Sequence, residues 1–212
     1  MTDRTSTEAG DLAYLKRLAE AGRGEPAPFL LLMAVFGGGY GLFGLIISVA
    51  GLIHMATMEG PLRPDGIIQT LAPWSFGAAT LAFAVAAVWT VWRTFGPRPI
   101  PVSRSATAIW SAAFLGLVTV FAAMFMSLGA PHPIFMPDNL APVLLILWGC
   151  AWWATAITSD RRWLMVVGLG SFAAAAVLPI ATPNFWGMPL LTASLLLLAF
   201  LPAVVLMRSR RR

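Results

Sequence analysis

The chain has 212 residues, 58% of them apolar and only 11% charged, with a net charge of +5. Soluble domains carry about 25% charged residues, so composition excludes a surface solvated mainly by water. A single cysteine, Cys150, excludes an internal disulfide and a cysteine-rich metal site.

Residues 1–10 are small and polar, and are expected to fray. Asp11 to Arg23 reads as a short amphipathic helix. Leu12, Tyr14, Leu15, Leu18 and Ala19 share one side of a helical wheel, and Lys16, Arg17 and Glu20 the other. Asp11 suits an N-cap, and Gly22 and Gly24 a stop. Pro26 and Pro28 then divide a polar segment, 1–28, from the first apolar block. That block is too long for the apolar region of a cleavable signal.

Six apolar blocks follow, at 29–55, 74–95, 105–128, 141–159, 163–182 and 185–207. Each is long enough to cross roughly 30 Å of hydrocarbon at about 1.5 Å per residue. None has the polar face that a soluble bundle needs. The expected fold is all-α: a polytopic membrane bundle of six transmembrane helices over 29–207. A short amphipathic helix precedes it and a basic tail, 208–212, follows it.

The connections set the orientation. Thirteen of the 14 Lys and Arg residues fall in residues 1–28, in the second and fourth connections (Arg93, Arg98, Arg104; Arg161, Arg162) and in the tail. The other connections hold Arg63 alone. Positive charge is retained in the cytoplasm, so both termini are expected there, in the inner membrane of a bacterium. This clustering at span ends suits anionic lipid headgroups and does not call for nucleic acid. Trp74, Trp89, Trp92, Trp110, Trp163 and Trp186 fall near block ends, where indole favours the interface. Pro73 is placed in or beside a connection, and the proline-rich stretch 129–139 is semi-apolar.

Candidate chemistry is sparse. All nine Asp and Glu residues lie outside the spans or at their margins, which argues against an ion-coupled transporter. His54 and His132 are assigned to the same membrane face, but no carboxylate-rich spacing accompanies them, so no metal or cofactor site is expected. Cys150 reads as a buried apolar packer. Ser48, Thr80, Ser111, Thr119, Thr155 and Ser171 are each able to bond a nearby helix carbonyl. The glycines Gly37, Gly41 and Gly44 have the spacing that lets helix backbones approach closely, with a ligand groove as the alternative.

The Asp11–Arg23 helix has two compatible readings. It lies on headgroups through its basic side, or it docks a cytoplasmic protein through Leu12, Leu15 and Leu18, with Lys16 and Arg17 alongside. The run Asp-Leu-Ala-Tyr-Leu-Lys-Arg-Leu-Ala-Glu-Ala-Gly-Arg before the first span resembles the start of small uncharacterised six-span inner-membrane proteins of proteobacteria. The layout is also similar to that of membrane-embedded anti-sigma factors, which implies a regulatory cytoplasmic partner. The chain lacks the paired cysteines of their redox-responsive kind. The expected function is therefore a non-enzymatic regulatory membrane protein; the alternative is a small-molecule or lipid carrier with a site between the spans.

Overall fold

The computed structural model describes residues 27–57, 67–95, 104–127 and 140–209. Every element among them is helical: α1 (Ala27–Thr57), α2 (Ile67–Phe95), α3 (Arg104–Ser127), α4 (Leu140–Ser159), α5 (Trp163–Ala181) and α6 (Gly187–Ser209). Five of them, all but α3, are long and apolar enough to cross a membrane by length and composition. In α3 the apolar stretch is the shorter Ser105–Val120. The chain thus fits a multi-pass membrane protein. The N-terminal segment with its amphipathic helix, and His132, lie outside the described residues.

Most boundaries fall within two residues of those expected, since long apolar runs bounded by turn-formers leave little choice. Two differ more. α2 begins at Ile67, seven residues early, and runs through Pro73. A proline in the interior removes only one backbone donor, which a membrane helix tolerates when its neighbours compensate. The basic tail also starts later, because α6 continues to Ser209.

α1 organises the bundle. It packs along α6 on one side and against α2 on another. Its rings reach α3, where Phe29 stacks on Phe114 at 6.0 Å, and α4, where Phe36 meets Trp148 edge-on at 4.9 Å. α4 packs on α3 and α5, and α5 on α6. The core is densest towards the α1 N-terminus, where Leu30, Met33, Trp110, Trp152 and Leu206 are fully enclosed. α2 is peripheral: 11% of its spanning residues are buried, against 50% in α4. Leu81, Val85, Val88 and Trp92 point away from the bundle. Such a surface suits acyl chains, where exposed apolar side chains cost nothing.

Hydrogen bonds inside the bundle are few and specific. Trp110 was expected at the interface, but it is 0% exposed, because its indole N–H has a partner within. It donates to Thr155 Oγ1 at 3.1 Å, and that hydroxyl donates to the Ala151 carbonyl at 2.7 Å. Thr80, Ser111, Thr119 and Ser171 also donate to carbonyls three or four residues back. Ser48 lies 3.5 Å from the Thr192 hydroxyl on α6. Cys150 is exposed on the outside of α4, contrary to the buried position expected. The face of α4 that packs inward carries Trp148, Gly149, Ala151 and Trp152.

The α4–α5 turn is the tightest connection described. Asp160 has φ 54°, and Arg161 N–H donates to Ala156 O at 3.2 Å, as in a Schellman stop. Glycine adopts this conformation without the penalty a Cβ brings. Asp160→Gly is expected to raise stability by about 0.5–1 kcal/mol, read as a higher melting temperature in detergent; a drop would show that the carboxylate has a structural partner.

Candidate functional site

The described charges all gather at one end of the bundle. They are Arg93 at the C-terminal end of α2, Arg104 opening α3, Asp160, Arg161 and Arg162 between α4 and α5, and Arg208 ending α6. The packing brings these ends together. The Thr90 hydroxyl of α2 donates to Pro28 O at the start of α1, at 3.3 Å. The Trp110–Thr155 bond sets the start of α3 beside the end of α4. Arg161 Nη1 donates to Ser209 Oγ at 3.3 Å, joining the α4–α5 turn to the end of α6. The guanidinium of Arg93 lies 5.9 Å from the Trp89 ring centroid, a cation–π distance. The described helices carry no ionisable Asp, Glu, Lys or Arg at the other end.

The glycines of α1 form its seam with α6. A Cβ on Gly37 would stand 2.6 Å from Phe200 N and 2.9 Å from Leu195 O, both backbone atoms. At Gly41 it would meet the Leu196 side chain, and at Gly44 the Thr192 hydroxyl. Gly37, Gly41 and Gly44 therefore mark a close helix–helix approach.

Facing the seam, α6 widens into a π-helical turn over Leu195–Phe200. Leu201 N–H bonds Leu196 O, five residues back. Pro202 has no N–H to offer the carbonyl four residues before it, that of Leu198. The indole of Trp152 donates to Leu198 O at 2.9 Å and supplies a bond the helix lacks. The partnership joins residues 46 apart, so sequence reading missed it. Its visible signal was a proline in the interior of the last apolar block.

Between α1 and α2 lies an aromatic cluster that the sequence reading also passed over. Phe36, Tyr40 and Phe43 recur at i, i+4 and i+7 on α1, and Phe76, Thr80 and Phe83 at the same spacing on α2. Tyr40 packs on Phe36 (4.7 Å) and Phe76 (5.7 Å), and Phe83 packs on Phe36 (5.2 Å). Tyr40 Oη and Thr80 Oγ1 share a hydrogen bond of 3.1 Å. This arrangement clamps α2 to α1, each ring pair contributing about 0.5–1.5 kcal/mol. Chemically it offers apolar rings and two hydroxyls, with no acid, base or nucleophile of ordinary strength.

His54 belongs to α1, near its end, and Leu12, Leu15, Lys16, Arg17 and Leu18 fall outside the described residues. Among the described residues no three His, Cys, Asp or Glu side chains cluster as metal ligands would. No protein-family model, curated protein or solved structure matches the chain.

Proposed function

We propose that the protein is a non-enzymatic regulatory component of a bacterial inner membrane, crossing it six times with both termini cytoplasmic. It holds a cytoplasmic partner protein through the amphipathic helix of residues 11–23. The observation that carries this reading is the gathering of every described Arg at one end of the bundle, the end where α1 starts and α6 stops. Retention of positive charge on the cytoplasmic side makes that end the inner one. Residues 1–26 then precede α1 on the same side, carrying Leu12, Leu15 and Leu18 next to Lys16 and Arg17. Among the described residues the helix interiors carry no Asp, Glu, Lys or Arg, so activity is assigned to the inner face.

The test compares the full chain with a quadruple variant, Leu15→Ala, Lys16→Glu, Arg17→Glu and Leu18→Ala. Both are purified from membranes after crosslinking. A soluble protein recovered with the first and lost, roughly tenfold or more, with the second is expected, since anchors of this kind contribute about 2 kcal/mol or more each. Equal recovery, or none with either, would end the docking reading.

The carrier alternative has one observation in its favour, the peripheral α2 with its aromatic cluster and Tyr40–Thr80 hydroxyl pair. Against it stands the dense packing around Met33, Trp110 and Trp152 in the inner half of the bundle, where a transported molecule would have to pass.

A further inference from the structure

The corner formed by the α4–α5 turn and the end of α6 has a feature that charge counting does not require. Arg162 at the N-cap of α5 and Val166 and Leu169 within it recur at i, i+4 and i+7, and all three are exposed. Leu201, Val205 and Arg208 recur in the mirrored order on α6 and are likewise exposed. Each helix therefore displays one face with a guanidinium at the charged end and an apolar stripe running from it towards the middle of the bundle. The two ends are tied together, because Arg161 of the turn donates to Ser209 beside Arg208. Arg162 and Arg208 make no side-chain hydrogen bond among the described residues. Trp163, next to Arg162, is part-exposed at the level where indoles mark the interface. Among the described residues Asp160 is the only carboxylate in this corner, against three arginines.

We infer that this corner is a binding site for an anionic phospholipid. Arg162 and Arg208 hold the headgroup phosphate, and the acyl chains lie along Val166–Leu169 and Leu201–Val205. The polarity of the site matches that of the ligand, charged at one end and apolar beyond it over about one turn of each helix. Guanidinium suits phosphate because its planar fork donates two parallel hydrogen bonds. A protein or nucleic acid partner would use the arginines and leave the stripes unused. The inference does not rest on the docking reading, since it involves no residue before Trp163 except those of the turn.

The experiment is native mass spectrometry of the full chain, released from nanodiscs of mixed phosphatidylglycerol and phosphatidylcholine. Retention of phosphatidylglycerol over phosphatidylcholine is expected. It should fall about tenfold in Arg162→Gln/Arg208→Gln, the loss of one strong charge-assisted contact. Arg93→Gln, on α2, should leave it unchanged. Undiminished retention in the double variant, or an equal fall in Arg93→Gln, overturns the site in favour of diffuse attraction. Displacement of the lipid by millimolar inorganic phosphate alone also overturns it, because the stripes would then contribute nothing. Should the double variant fail to insert, phosphatidylglycerol with a photoactivatable headgroup is applied to the unaltered chain. Crosslinks confined to peptides holding Arg162 and Arg208 sustain the inference; an even spread that includes Arg93 and Arg104 rejects it.

Discussion

Gly37→Ala is expected to lower stability by about 1–3 kcal/mol, the usual range for inserting a methyl group into a packed interior. Two effects compete. Alanine favours a helix over glycine by about 0.5–1 kcal/mol, while the new Cβ would meet Phe200 N at 2.6 Å and Leu195 O at 2.9 Å. Backbone atoms cannot rotate aside as a side chain does, so α6 must move and the steric term wins. Two control positions make the comparison decisive. At Gly38 the nearest atoms belong to the Phe200 ring, starting at 3.0 Å, and a ring can yield. At Gly77 on α2 nothing lies within 4 Å. The expected order of melting temperatures in detergent is therefore Gly77→Ala highest, Gly38→Ala close to the parent and Gly37→Ala lowest. A chain of this size shifts by about 2–4 °C per kcal/mol. If Gly37→Ala melts no lower than Gly77→Ala, the α1–α6 seam is wrong.

Trp152→Phe should be the most damaging near-isosteric change in the core. It keeps an aromatic ring opposite Trp110, whose centroid lies 4.8 Å away, and removes the N–H that reaches Leu198 O at 2.9 Å. Hydrogen bonds between membrane helices often contribute only about 0.6 kcal/mol, because the freed group finds another partner. Here Pro202 has already removed the donor an α-helix would supply. The cost should accordingly lie nearer the desolvation penalty of an unsatisfied carbonyl, about 1–3 kcal/mol. A double-mutant cycle isolates the cause. Pro202→Ala supplies a backbone N–H, so Trp152→Phe should cost about 1 kcal/mol less in that background than in the parent. Equal costs in both would assign the loss to indole packing alone.

The two predictions show how differently the parts of this chain can be read from its residues. The blocks 105–128, 141–159 and 163–182 lie within a residue of α3, α4 and α5. Apolar runs bounded by prolines, glycines and arginines express a local preference for hydrocarbon that no tertiary contact reverses. Pro73 was misread because one lost backbone bond weighs little inside a long apolar helix. Trp110 was misread because proximity to a span end says where an indole lies along the helix, and not which way it faces. Its direction is set by Thr155, 45 residues away. Cys150 was placed inward on apolar character, yet in a bilayer both the interior and the outer face are apolar, so hydropathy does not separate them.

The aromatic cluster was legible in principle, since Phe36, Tyr40 and Phe43 share one helical face. What the spacing lacked was the matching face of α2, and nothing local pairs the two. The docking residues Leu12, Leu15, Lys16, Arg17 and Leu18 remain an inference from amphipathic spacing and from the end of the bundle at which they enter.

The amino-acid sequence by itself determined the all-helical class, the extent of most helices and the segregation of charge, because each follows from transferring a local segment between water and hydrocarbon. Only the tertiary structure decided which glycines touch a backbone, which indole replaces the bond Pro202 withholds, and which arginines share a corner with exposed apolar stripes. Those features depend on helix rotation and pairing. In a bilayer, where apolar side chains are equally well solvated on every side, rotation and pairing are set by close packing and a few hydrogen bonds, and these exist only once the helices have met.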